Sequence, residues 1–168
     1  QMCIRDRNIG ADWAAKIAET TWKVGGNTWA NIGTQPAKTA YQNEIVSPVT
    51  TNSQDNATEL KAKIGLMYAS DYGFAASPSA WTTTLYKYGG NDVNGTSIKT
   101  INWMYMGNNE WTMTPNSSYG NNVFYLFFDG IVSDGNANFG YGSRPVLYLD
   151  ASVYKIGGDG SLNNPYIV

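Results

Sequence analysis

Residues 111–149 read WTMTPNSSYGNNVFYLFFDGIVSDGNANFGYGSRPVLYL, and the fold turns on how this stretch is read. Two apolar runs, 123–128 and 145–149, are framed by segments rich in Asn, Ser, Tyr and Gly. Successive side chains of a strand point to opposite faces. In the first run both faces are apolar: Val123, Tyr125 and Phe127 on one, Phe124, Leu126 and Phe128 on the other. That pattern predicts a mid-sheet strand covered on both sides. Asp129-Gly130 follows it as a hairpin signal. The second run is scaffold as well, and the polar aromatic segments read as a surface held out for contact.

Working upstream, NWMYM (102–106) reads as a strand, 107–109 as a turn and 110–114 as the next strand. Ser77 followed by Pro78 predicts a helix start, with Trp81, Leu85 and Tyr88 facing inward and Gly89-Gly90 ending the helix. Residues 64–68 (IGLMY) read as a buried strand closed by a turn at 70–73, and 58–63 as a helical turn. Residues 39–45 suggest a short helix and 47–57 a polar loop. Near the start, 8–20 predicts a helix with Trp13, Ala14, Ile17 and Ala18 on its core-facing side, followed by the strand-like TTWKV (20–24). Residues 153–156 and 166–168 read as a closing hairpin. The sum is an α+β domain: two short helices, a mostly antiparallel mixed sheet and long loops.

Composition narrows function by exclusion. At 168 residues the chain has one domain's length, and charged residues are only 14% of it. A net charge of -2 with no Lys/Arg cluster leaves nothing to attract nucleic acid. No segment reads as inserting directly into a membrane. With His 0 and Cys 1, the chain has no Ser-His or Cys-His nucleophile, no His-based zinc site and no disulfide framework. The opening QMCIRDR (1–7) resembles a translated sequencing-adapter string, so Cys3 is set aside and the domain is taken as 8–168.

Several motifs bear on chemistry. Asp134, Asn136 and Asn138 alternate like the opening of a calcium loop, but Phe139 stands where the loop needs Gly and Pro145 where it needs a carboxylate. No metal is assigned. Glu110, Asp129 and Asp134 are the carboxylates available for a glycosidase-like pair, and the hairpin turn explains both Asp residues. Arg144, at the mouth of an apolar strand, needs carbonyl or carboxylate partners, which gives it a structural role pinning the polar segment. Asn116, Ser117, Ser118, Tyr119, Asn121 and Asn122, then Asn136, Asn138, Phe139 and Tyr141, bracket the strands. Turn chemistry accounts for many of these Asn. It leaves the recurrence of aromatics unexplained, and exposed Tyr and Phe among small polar groups suit protein or carbohydrate contacts.

The order WTMTP, an Asn/Ser/Tyr-rich stretch, VFYLFFDGIV, a second such stretch and YGSRPVLYLDASVYKIGGDGSLNNPY resembles the C-terminal region of a set of gut-bacterial surface proteins. IGLMYASDYGFAAS (64–77), Trp81 and NWMYMGNNEWTMT are similar to the same set, so the resemblance is strongest over 64–168. Those proteins carry a C-type-lectin-like domain, akin to the formylglycine-generating enzyme and to the variable proteins of diversity-generating retroelements. The resemblance implies a C-type-lectin-like fold with the Arg-Pro strand in the central sheet, Trp111 and Arg144 as scaffold, and an extracellular or cell-surface location. It also implies that the ten Asn, Ser, Tyr and Phe residues named above form the ligand surface. The E-P-N, Q-P-D and W-N-D motifs of calcium-dependent lectins are missing, as are their disulfides and the enzyme's active-site Cys. The expectation is therefore a non-catalytic binding or adhesion domain without a cofactor, recognising a protein or glycan. The alternatives are a structural module of a surface fibre or pilus-like protein, and a glycan-active enzyme using Glu110, Asp129 or Asp134.

Overall fold

A sequence punctuated this often by Gly, Asn and Pro folds into short elements. The computed structural model describes residues 10–50 and 57–167. In chain order these give α1 (Ala11–Ala15), β1 (Thr20–Lys23), α2 (Trp29–Thr34), α3 (Ala37–Tyr41), β2 (Glu59–Ala62), β3 (Ile64–Leu66) and α4 (Ala69–Phe74). They continue with β4 (Glu110–Pro115), β5 (Asn122–Leu126), β6 (Val132–Asn136), β7 (Gly142–Ser143) and β8 (Pro145–Leu147). A π-helical turn, Gln42–Val46, prolongs α3, and 3-10 turns occupy Pro78–Ala80, Leu85–Lys87 and Ile98–Ile101. The chain is α+β.

The main sheet has the order β6-β5-β4-β7, antiparallel except for the parallel pairing of β4 with β7. β5 is thus central, and its inner face sends Phe124 and Leu126 into the core beside Val132 of β6. Ile32, Ala37, Ala40, Ala69, Tyr72, Leu85 and Tyr88 from the helical segments complete that core. The buried phenols are satisfied: Tyr72 donates to Gly130 O at 3.0 Å and Tyr88 to Gly73 O at 2.9 Å. Two antiparallel pairs, β1-β2 and β3-β8, stand beside the main sheet.

β4 does not run straight. Trp111 pairs with Tyr125 but Pro115 with Val123, so β4 carries a bulge between them. Through the bulge Thr112 and Thr114 stay buried, and Met113 N turns to donate to Met67 O at 2.7 Å. A bulge re-aims side chains in this way. Here it delivers the Thr114 hydroxyl to the molecule's interior.

Several sequence expectations are corrected. The first helix covers only Ala11–Ala15, and Trp13 is 43% exposed while Ala14 and Ile17 are buried, because five residues make little more than one turn and present no continuous stripe. The reading of residues 8 and 9 as helical, of 51–56 as loop and of residue 168 as hairpin falls outside the described residues. Residues 58–63 hold strand β2, paired with β1, instead of a helical turn. Residues 70–73 lie in α4, not in a turn. The helix expected after Ser77 is two separate 3-10 turns, so Leu85 and Tyr88 point inward but Trp81 does not. Residues 102–106 form no strand: Asn102 makes one isolated bridge to Ala76, and the chain then turns. The closing segment makes only isolated bridges, Gly157 with Ile167 and Ser161 with Asn164.

The Arg-Pro strand also departs from expectation. β7 lies at the edge of the main sheet, and after Arg144 the chain leaves that sheet so that β8 pairs with β3. Pro145 has no N–H to donate to a ladder, which suits the first residue of an edge strand and not a central position.

Candidate functional site

The two Asn/Tyr-rich loops meet at one end of the main sheet. Register does this: Asn122 pairs with Asn136, and Ala137 N donates to Asn121 O at 3.0 Å. Asp134 ties the base together, its Oδ2 accepting from Asn116 Nδ2 at 2.8 Å and Asn122 Nδ2 at 2.9 Å. Asn116 Oδ1 accepts from Ser118 N at 2.8 Å, and Asn136 Oδ1 from Asn138 N at 3.2 Å. Asn116 is fully buried, so it builds the loop from within and presents nothing outward. Asn122 and Asn136 are half-buried, as is Ser117, whose N–H donates to Asn27 O at 2.8 Å. Ser118, Tyr119, Asn121, Asn138 and Phe139 are the outward members, with Tyr119 59% and Phe139 49% exposed.

Tyr141 has a different role. Its ring lies 4.6 Å from Tyr125, 4.9 Å from Trp111 and 5.6 Å from Phe139, centroid to centroid. Trp111 and Tyr125 are cross-strand partners at 5.7 Å, and Tyr125 touches Phe127 at 6.2 Å. Such pairs add to the stability of a sheet face. The outer face of β4 and β5 is therefore an aromatic strip with Phe139 at its loop end. Gly135 makes room for it, since a Cβ there would meet the Tyr125 and Phe139 rings at 3.2 and 3.3 Å. The Tyr125 phenol is held above its ordinary pKa by burial first of all.

Arg144 stands at the switch from β7 to β8. Its guanidinium donates to Met104 O at 3.0 Å and pairs with the Glu110 carboxylate at the start of β4. One side chain thus ties the 102–105 turn to the start of β4 in the main sheet. The carboxylates considered for catalysis have separate partners: Glu110 holds Arg144, Asp129 Oδ1 accepts from Ile131 N at 3.0 Å inside its turn, and Asp134 holds the loop amides. Among the described residues no group of three or more His, Cys, Asp or Glu side chains could hold a metal ion. No helix there is long and apolar enough to cross a membrane.

Sequence reasoning missed the group that roots the first loop. Glu44, in the π-helical turn, has 0% exposure. Its Oε1 accepts from Asn27 Nδ2 at 3.2 Å and Thr114 Oγ1 at 2.7 Å; its Oε2 accepts from Ser70 N at 3.3 Å and from the Ser70 hydroxyl. Thr114 Oγ1 also accepts from Ala69 N at 3.0 Å, and Asn27 Oδ1 from Asn43 Nδ2 at 3.0 Å. Asn27 N in turn donates to Pro115 O at 3.0 Å, immediately before the loop. Burial pushes the Glu44 carboxyl up to about 7, against the pull of these donors. The only sequence signal for it is a lone Glu between Asn43 and Ile45 on a short helix, which periodicity reads as solvent-facing.

Comparison with family models, curated proteins and solved structures finds no match for this chain.

Proposed function

We propose that this chain is a non-catalytic binding domain of C-type-lectin-like type, displayed on a cell surface, that recognises a protein or glycan through the end of the sheet formed by residues 116–122 and 136–141. One observation carries the reading: Tyr119 and Phe139 stand exposed on two loops that are fastened to each other through Asp134 and to the sheet through Tyr141. Rigid aromatics lose little conformational freedom on binding, and the Ser and Asn side chains around them supply adaptable hydrogen bonds. Asn116, Asn122 and Tyr141 preorganise this face instead of touching the ligand. The three carboxylates weighed for catalysis act as structural partners in this reading.

The test is a binding screen of the purified domain against glycan and cell-surface protein arrays, followed by the double variant Tyr119→Ala/Phe139→Ala. Both positions are exposed, so the variant should keep the wild-type circular dichroism and lose at least about tenfold in affinity for a captured ligand. Unchanged affinity for an identified ligand would overturn the assignment of these loops.

A further inference from the structure

We propose a second binding site, sharing no residue with those loops, in which the cleft between 74–77 and 100–103 takes a sugar ring of a neutral polysaccharide. The cleft has a volume of about 500 Å³ and is lined by Phe74, Ala75, Ala76, Ser77 and residues 100–103. That volume lies within the range of small-ligand sites. Its floor is fixed by backbone pairing, with an Ala76–Asn102 bridge and Ser77 N donating to Ile101 O at 3.0 Å. The Asn102 side chain is locked beneath, donating to Tyr72 O at 2.9 Å and accepting from Met104 N at 3.0 Å.

Aromatic rings stand at the cleft. Trp103 lies between buried Asn102 and buried Met104, so this turn drives its side chain outward, and it is 77% exposed. Phe74 is held edge-on by Trp81 at 5.5 Å and 90°, and Trp81 is itself anchored by donating from Nε1 to Ala76 O at 2.8 Å. Tyr41 backs Phe74 from the other side at 6.1 Å. Phe74 and Trp103, both exposed and lining one cleft, make a shared apolar patch there, and such a patch marks a contact site where a lone exposed ring would not.

The lining selects the ligand class. Among the described residues no charged side chain lines the cleft, so an ionic ligand finds no complement there. Ser77 and Thr100 line it beside Phe74, Ile101 and Trp103, and a wholly apolar ligand would strip water from these two hydroxyls without replacing their hydrogen bonds. A neutral sugar ring meets both demands, laying its C–H face on an aromatic ring while its hydroxyls bond to the polar groups.

The experiment is calorimetric and fluorescence titration of the full chain with cellohexaose, mannohexaose and xylohexaose, repeated on Trp103→Ala, Trp103→Phe and Tyr119→Ala/Phe139→Ala. At least one hexaose should bind; Trp103→Ala should weaken it about tenfold, and Trp103→Phe, which keeps a ring, less than about threefold. The loop variant should bind that hexaose as the wild type does, which separates this site from the loop face. The proposal is overturned if no hexaose binds at millimolar concentration or if Trp103→Ala binds unchanged. It is equally overturned if an apolar peptide, and no hexaose, loses binding in Trp103→Ala, since the cleft would then be a protein-docking site.

Discussion

Replacing Glu44 with Gln tests the interior of this protein most directly. The carboxylate uses four acceptor positions on four donated hydrogen bonds, and two of the donors, Asn27 Nδ2 and Ser70 N, cannot reverse direction. The amide has one acceptor oxygen, so its NH₂ must face either Ser70 N or Asn27 Nδ2. Asn27 cannot relieve the conflict by flipping, because its own amide is committed to Ala40 O and to Asn43. Leaving a buried donor unsatisfied costs about 1–3 kcal/mol. Glu44→Gln should lose that much at pH 5, where the protonated carboxyl still accepts at both oxygens and only one must also carry a proton.

The pH dependence sharpens the test. The folded carboxyl is raised from 4.5 to about 7, so between these values the native state holds a proton that the unfolded state has released. The stabilisation is complete below about 4.5, is lost as pH rises through 7 and stays lost above it. At about 1.4 kcal/mol per unit the full swing is roughly 3 kcal/mol. With His 0 in the sequence, no imidazole titrates in this range; the Asp71 carboxyl is also raised by burial. Urea unfolding followed by tryptophan fluorescence at pH 5, 6, 7 and 8 should show wild-type stability falling with pH and a much flatter profile for Glu44→Gln. The gap between the two proteins should therefore narrow toward pH 8. Thr114→Val removes the hydroxyl that donates to Glu44, and its cost should be clearly non-additive with that of Glu44→Gln. A wild-type stability flat from pH 5 to 8, or the same slope in the variant, would show that Glu44 does not hold its proton in the folded state.

Two further predictions concern the frame. Arg144→Ala leaves the Glu110 carboxylate half-buried without its cation and frees the 102–105 turn, so it should cost about 2 kcal/mol in urea unfolding. Arg144→Lys should fall between it and the wild type, because a point charge cannot also present a planar fork to Met104 O. Gly73→Ala should cost about 1–3 kcal/mol or more, read as a lower thermal midpoint, since the added methyl would overlap Ala37 Cβ and come within 2.7 Å of Leu85 Cδ2 at the α3–α4 contact.

Local structure was legible in the amino-acid sequence. Two-sided apolarity at residues 123–128 marked the central strand, although the strand ends at Leu126 and leaves Phe128 55% exposed instead of covered; Asp129-Gly130 marked the tight turn, where Gly130 adopts φ 99. Helical reasoning over 8–20 and 77–90 failed for one reason. Periodicity assumes a helix long enough to own a face, and these segments turn too soon, leaving Trp13 and Trp81 outside. The ten-residue candidate face was legible as composition, but composition could not sort it. Only the strand register brought the two loops together and showed Tyr119 and Phe139 outward, Asn116 inward and Tyr141 stacked on the sheet. Glu44 was not legible at all. Its partners come from positions 27, 70 and 114, far apart in the chain and brought together by the fold and the bulge in β4, and a buried carboxylate is stable only where such distant donors converge. Strands and turns follow from neighbours in sequence, whereas satisfaction of buried polar groups follows from neighbours in space, which only the tertiary structure decides.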